Sequence, residues 1–434
     1  MKKIFLFCIL LRIAWGFWSL GFDHPNEPYR LLEPIAHLDG FSASLPWEWR
    51  DGLLSTLSVR AHREVLHFVS LFGLSSALAQ LTFLHVVFAL ASIFTWIAVF
   101  FFSSHLGATR GWAILAALSV ALWPESLYHS TRLMDYSLEA ILLSLALLAA
   151  TRARFLPWAG AFLGASFFIR PQSGLSLIAL ALVLLTQPLG LRARLRSVGM
   201  LVTGYALSVG ALGLLEKALG GAPFLVFFRN YLHFNWSQGG AARVYGSDPW
   251  HRYLTDAAKY YGLVLWLPIV GLSLRTKPAR QLSLLAWLPF VVHMLIAHKE
   301  ARFLYGTLWL LLPAAVLGLE GLRLRKSVAV ALGVCAALGF VVSAERVSRR
   351  FFLQRADVIA LAKIGQVLDP GPGMVEIVAD PVFTPVGFLL RHRGPVCYSG
   401  SARAEERCTD GVQPAFRIER DAQGRFGLRQ INGF

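Results

Sequence analysis

Charge is what this sequence has least of. Only 15% of its 434 residues are Asp, Glu, Lys or Arg, against about 25% in an average soluble domain, while 56% are hydrophobic. A chain so poor in charge cannot clothe a soluble surface, so the bilayer is its expected solvent. Cysteine is scarce as well: four residues, with no CxxC pair and no His/Cys group at zinc-ligand spacing, so no metal site is expected. A Walker loop and a dinucleotide fingerprint are both missing, which disfavours a nucleotide-driven machine, and no cofactor is expected. Acids number 25 against 41 Lys and Arg, a formal charge of +16. Nucleic acid is not the expected partner, because the bases fall in short clusters between apolar runs rather than on one face. They read as topology signals and as contacts to anionic membrane lipids.

What is present is a succession of apolar runs. Met1-Lys2-Lys3 leads into one that ends at Leu20 without a small-x-small cleavage site, so an uncleaved first span is expected rather than a signal peptide. Further runs occupy 78–102, 108–123, 138–150, 157–169, 173–186, 198–215, 261–274, 282–297, 303–319 and 327–342. Together they predict an all-α polytopic membrane protein of about eleven spans, several shorter than the roughly 20 residues a straight crossing needs. With Met1 inside, the inner loops hold Arg110; Arg152 and Arg154; Arg192, Arg194 and Arg196; Arg275, Lys277 and Arg280; and Arg323, Arg325 and Lys326. Each is short and basic, as the positive-inside rule requires. The same parity places 21–77, Pro124 to Ser137, the Arg170-Pro171 corner, 216–260 and the turn at His298 on the outer side. The expected division is a transmembrane domain over 1–343 and a small outer α/β domain over 344–434. In the latter Phe351 to Val367 has helical spacing, and Met374 to Val378, Val386 to Leu390 and Phe426 to Leu428 read as strands. Cys397 and Cys408 fall there, either as a disulfide or as separate thiols; Cys8 and Cys335 lie in spans as packing residues.

Polar chemistry gathers on the outer side. Residues 23–51 carry Glu27, Glu33 and Glu48, with His24 and His37, and Trp47 and Trp49 bracket Glu48. Ala297 to Tyr305 carries His298, Lys299, Glu300 and Arg302; the three basic groups suit a phosphate, Arg binding two oxygens at once, with Glu300 positioning them. The same residues would also serve as an interfacial basic turn. Arg170 is either a second phosphate ligand or a membrane anchor. Arg132, Asp135 and Glu139 form a stripe where a helix enters the membrane. Glu139 falls inside the apolar layer, where an acid is paired or functional, and Arg132 is one candidate to neutralise it. In the long outer loop, Tyr245 to His251 makes a turn presenting Asp248, Trp250 and His251, either to a sugar ring or to the membrane interface.

In their order along the chain these motifs resemble the membrane mannosyltransferases that use dolichyl-phosphate-mannose in N-glycan and GPI-anchor assembly. The opening pattern His-Pro-Asp-Glu, Leu-Glu, Trp-Glu-Trp is matched by His24-Pro25-Asn26-Glu27, Leu32-Glu33 and Trp47-Glu48-Trp49. Tyr-Gly-x-x-Pro-Trp-His is matched by Tyr245 to His251, His-Lys-Glu-x-Arg-Phe by His298 to Phe303, and the Arg-Pro corner by Arg170-Pro171. The resemblance stops before the C-terminal tail. It implies a GT-C fold and an inverting transfer from a polyprenyl-phosphate-linked sugar to a hydroxyl of a lipid- or glycan-linked acceptor. Such a transfer needs a base for the hydroxyl and a cradle for the leaving phosphate. Asn26 stands where the family usually has Asp, so the base is expected at Glu27, with Asn26 beside it. Arg170, His298, Lys299 and Arg302 are expected on the donor phosphate. His24, Glu33, Trp47, Glu48, Tyr245, Asp248, Trp250 and His251 are expected around the sugars, and Arg132, Glu139 and Glu300 in support. Leu54 stands where an Arg commonly precedes Ser55, which bears on acceptor contacts. A bacterial inner membrane with a periplasmic site, or an endoplasmic reticulum membrane, satisfies this topology. A flippase for a lipid-linked sugar is the competing class; no internal repeat supports it.

Overall fold

The computed structural model describes residues 2–22, 24, 26–43, 45–220, 223–323, 325–351, 355–368, 374–378, 386–393, 396–398, 416–420 and 426–430. Helices dominate. Three are long and apolar enough to cross a membrane by length and composition: Ala77–His105, Leu191–Gly220 and Lys326–Arg349. Shorter apolar helices cover Arg110–Leu122, Ala153–Ile169, Pro171–Leu185, Leu263–Ser273 and Arg302–Gly318, and Lys2–Trp18 adds a 17-residue helix at the amino end. At 1.5 Å per residue the 30-residue Leu191–Gly220 helix is about 45 Å long, more than the roughly 30 Å of a hydrocarbon layer. One end carries Arg192, Arg194 and Arg196; at the other, Glu216 accepts from the Thr56 N–H at 2.8 Å.

Glycine decides how closely this helix approaches its neighbour Leu156–Ile169. A Cβ on Gly160 would lie 1.9 Å from the Leu201 carbonyl oxygen, and one on Gly204 would lie 1.9 Å from that of Pro157. The two backbones are therefore in contact, as small residues permit in membrane bundles.

The described part of the C-terminal region holds a four-stranded sheet of order β2-β1-β3-β4. The strands are β1 (Val375–Ile377), β2 (Val396–Tyr398), β3 (Phe416–Arg420) and β4 (Phe426–Gln430). β1 runs parallel to both β2 and β3, and β4 is antiparallel to β3. The Arg355–Val367 helix packs beside it, giving the α/β composition expected. Val386–Leu390, read from sequence as a strand, is instead a short helix. Its Gly387 packs against Ser42 and Ala43 of the first outer loop, and that contact overrides the β propensity of a five-residue apolar run. The Cys397–Cys408 question involves Cys408, which lies outside the described residues; Cys8 is buried and Cys335 partly buried, both as free thiols.

Among the described residues two large apolar cores organise the molecule, beside a small one around Phe167, Phe168 and Phe227. The larger joins the apolar helices of the bundle. The second unites Leu32 and Ile35 of the first outer loop, Val59 and Leu66 of the Leu57–Ser70 helix, Leu84 and Phe88, and Leu361, Ile377, Phe388 and Ile418 of the C-terminal region. The C-terminal region is thus built onto the first outer loop.

Candidate active site

Proline and glycine shape the first outer loop. Pro28 and Pro34 open consecutive helical turns, Pro28–Leu32 and Glu33–Leu38, where a missing N–H costs nothing. Pro46, with extended ψ, precedes the Trp47–Arg50 turn, and Gly52 at φ 63 ends it. Asn230 of the long outer loop donates to the Asp51 and Gly52 carbonyls at 3.2 and 3.3 Å. These constraints aim Asn26, Arg30 and Glu48 at one point, which the starts of Asp135–Ala150 and Arg302–Leu308 also reach.

There, three guanidiniums and four carboxylates interlock. Arg30 donates from Nη1 to Asp135 and from Nη2 to Glu48, both at 3.1 Å. Arg170 donates to Glu139 at 2.7 Å and to the Phe303 carbonyl at 3.1 Å, and its Nε lies 3.9 Å from Asp135. Arg302 grips Glu300 with two donors, one at 2.8 Å, and His298 Nε2 lies 3.1 Å from the same carboxylate. His24 meets Arg302 at 3.5 Å. With its amide oxygen turned toward these donors, Asn26 accepts from Arg30 Nε at 2.9 Å and from Arg302. Asn26 is therefore the link between Arg30 and Arg302.

The charges tune one another. Burial acts to raise the Glu300 carboxyl, but the bonds and charge of Arg302, with His298 and His24, bring it down to about 2. Asp135 lies three residues before the apolar run that begins at Leu138. Burial pushes its carboxyl up, and Arg170, Arg30 and Arg302 outweigh that, holding it below the usual carboxylate range. Both remain ionised at neutral pH.

Over this network lies an aromatic bridge between loops. Trp47 Nε1 donates to the Tyr245 hydroxyl at 2.9 Å, the Trp47 ring lies 5.0 Å from Phe234, and Tyr245 lies 5.2 Å from the His298 ring. The Phe303 ring adds an aromatic face at the arginines themselves, 5.8 Å from the Arg170 guanidinium and 5.5 Å from that of Arg302.

Several residues expected in the site are placed elsewhere. Glu27 is fully buried, 3.7 Å from Arg132. Arg132 donates to the carbonyls of Ser19 and Gly21 and stacks on Tyr128; it locks the end of the first helix and does not neutralise Glu139, which pairs with Arg170 instead. Glu33 is buried and accepts from the Phe388 N–H at 3.3 Å, so it ties the loop to the C-terminal region. Lys299 gives its ammonium to the carbonyls of Asp248 (3.1 Å) and Ile296, and Asp248 accepts from the Lys299 N–H at 3.2 Å. Two of the three ammonium protons are thus committed to backbone, and the pair fastens the long loop to the His298 turn. Trp250 and His251 meet edge to face at 5.7 Å on an exposed turn. Two central residues escaped the sequence reading: Arg30, and Asp135 as a site residue. An arginine between Glu27 and Glu33 in an otherwise apolar turn was the available signal for the first. Among the described residues no cluster of three or more His, Cys, Asp and Glu could hold a metal ion.

Comparison with known proteins bears on the family and the fold. The chain is 28% identical over 319 residues to GPI mannosyltransferase 3 of Yarrowia lipolytica, covering 70% of this chain and 59% of that protein. It is 26% identical over 320 residues to GPI alpha-1,2-mannosyltransferase 3 of Homo sapiens, covering 70% and 55%. It therefore spans little more than half the length of these relatives. Among solved structures, ArnT from Cupriavidus metallidurans bound to undecaprenyl phosphate superposes with a TM-score of 0.64 at 14% identity, over 96% of this chain and 92% of that one. AglB from Archaeoglobus fulgidus, in complex with an inhibitory peptide and a dolichol-phosphate, gives 0.52 at 16%, over 91% and 64%. At these identities the likeness establishes a shared GT-C fold. The profile of the Alg9-like mannosyltransferase family matches residues 3–363, and the chain belongs to that family.

Proposed function

We propose that this chain is a multi-pass mannosyltransferase that moves a mannosyl group, with inversion, from a polyprenyl-phosphate carrier to a hydroxyl of a lipid- or glycan-linked acceptor. The reaction takes place at the outer face of an eleven-span bundle, periplasmic in a bacterial inner membrane or lumenal in the endoplasmic reticulum. The observation that carries the reading is the convergence of Arg30, Arg170 and Arg302 at the mouth of the bundle. When the bond between the anomeric carbon and phosphate oxygen breaks, its electron pair leaves as phosphate charge, and fixed guanidiniums in a partly desolvated site stabilise that charge. Arg302 and His298 are the phosphate ligands we assign first, with Arg170 and Arg30 behind them. Lys299 and Asp248 hold the turn that presents His298, and the Trp47–Tyr245 pair offers aromatic faces to a sugar. Family membership supports the sugar; the carrier lipids in the ArnT and AglB structures support the donor class.

The test is transfer itself. Membranes containing the chain, supplied with labelled polyprenyl-phosphate-mannose and a lipid-glycan acceptor, should form a product one hexose heavier, and Arg302→Gln membranes should not. Labelled sugar crossing sealed vesicles with no new glycosidic bond would instead indicate a flippase.

A further inference from the structure

We infer that Asp135 is the general base of this site, in place of the expected Glu27; the inference rests on the transfer reading above. An acceptor hydroxyl must lose its proton as the new glycosidic bond forms, so an ionised carboxylate has to reach the cleft. Glu27 and Glu33 are 0% and 1% exposed, the first beside Arg132 and the second bonded to the C-terminal region. Glu139 is 5% exposed, and Gly306 packs on its carboxylate so closely that a Cβ there would lie 2.1 Å from Oε2. Glu300 is clamped by both donors of Arg302 and by His298. Glu48 rides on a four-residue turn.

Exposure separates Asp135 from Glu27, Glu33 and Glu139: its side chain is 20% exposed, between Glu48 at 15% and Glu300 at 25%. It begins a 16-residue helix, unlike Glu48, and among the described residues no arginine clamps it with two donors, unlike Glu300. One oxygen is fixed by the Tyr136 N–H at 3.0 Å, and the other faces Arg30 and Arg170. The Asn26 oxygen, at the position where the opening motif carries an amide, contacts the same Arg30 guanidinium through Nε. Position 26 and position 135 therefore flank one cation from two different outer loops, and only position 135 carries a charge. An arriving phosphate competes for Arg30 and Arg170. As those donors turn to the phosphate, Asp135 loses the cations that hold its proton affinity down, so donor binding readies the base. In the step, the acceptor O–H breaks and its proton goes to Asp135. The acceptor oxygen bonds to the anomeric carbon, and the bond to the phosphate oxygen breaks with its electron pair leaving on the phosphate.

The experiment uses full-length protein in detergent or liposomes, with labelled polyprenyl-phosphate-mannose and acceptor. Asp135→Asn should bind donor within about threefold of wild type and lower kcat by about 100-fold or more, the usual range for a lost general base. Adding Asn26→Asp to that variant should recover at least tenfold, because it returns a carboxylate to the other side of Arg30. Should Asp135→Asn fail to insert, Asp135→Ala supplied with formate takes its place, and turnover should rise with formate concentration. A kcat for Asp135→Asn within tenfold of wild type overturns the inference. So does a loss of donor binding in proportion to the loss of turnover, or failure of both recoveries. Wild-type protein that makes no product overturns the transfer reading and Asp135 with it; a wild-type product that Asp135→Asn still forms at full rate overturns Asp135 alone.

Discussion

Replacing Arg170 by Met should destabilise this protein more than replacing its partner Glu139 by Gln, and the two changes together should cost less than the first alone. The Arg170 and Glu139 side chains are 4% and 6% exposed and their charged atoms are 2.7 Å apart. Removing the guanidinium leaves the Glu139 carboxylate buried under Gly306 with its counter-charge gone. Breaking a buried pair in this way costs about 3–5 kcal/mol, and the Phe303 carbonyl, which also accepts from Arg170, adds about 1 kcal/mol. Neutralising Glu139 is milder, because Arg170 keeps Phe303 and the neighbouring Asp135; the loss is one charge-assisted bond, about 1.5–3 kcal/mol. In the double variant no buried charge is orphaned, so it should recover about 2 kcal/mol relative to Arg170→Met. The assay is equilibrium unfolding in mixed micelles of rising SDS fraction, followed by tryptophan fluorescence, as a double-mutant cycle. A double variant whose loss equals the sum of the singles would refute the claim that these groups act as one neutral unit.

Other consequences can be checked in the same system. Gly204→Val puts side-chain atoms where the Pro157 carbonyl already stands, so the protein should fail to give a monodisperse detergent peak; Gly199→Val, with open space around it, should behave as wild type. Glu300 has a folded-state pKa of about 2 against an ordinary 4.5. A carboxylate depressed in this way contributes stability that is complete above about 4.5 and lost as pH falls toward 2. The difference in thermal midpoint between wild type and Glu300→Gln should therefore be largest at neutral pH and shrink across that window, and a difference that grows on acidification would contradict the pairing. Phe388→Ala removes a side chain 3% exposed from the core shared with the first outer loop. It should cost about 3–5 kcal/mol and speed amide exchange at residues 31–38 as well as in the sheet; exchange confined to the sheet would deny the coupling.

How much was legible can be seen residue by residue. The motifs at 24–27, 47–49, 245–251 and 298–303 were readable because each is a short run of side chains whose chemistry is out of place beside apolar spans. Loop parity alone grouped His24, Glu48, Glu300 and Arg302, and the structure brings His24, Glu300 and Arg302 into contact. Partner choice did not. Arg132 and Glu139 lie seven residues apart on one stripe, yet the guanidinium of Arg132 goes back to Ser19 and Gly21 while Glu139 takes Arg170 from 31 residues away. Lys299 looked like a phosphate ligand and was turned to Asp248 by a loop 51 residues earlier. Val386 to Leu390 looked like a strand until Gly387 met Ala43.

Sequence by itself determined that this chain belongs in a bilayer and which motifs supply its polar chemistry, because hydropathy, charge position and motif order are properties of the chain taken locally. Only tertiary structure decided which arginine meets which carboxylate, that Glu27 is interior while Asp135 is partly exposed beside Arg30 and Arg170, and that the C-terminal region shares a core with residues 31–36. Those outcomes depend on contacts such as Arg30 with Glu48, 18 positions apart, and Glu33 with Phe388, 355 apart, where burial and geometry, rather than local propensity, choose among chemically equivalent partners.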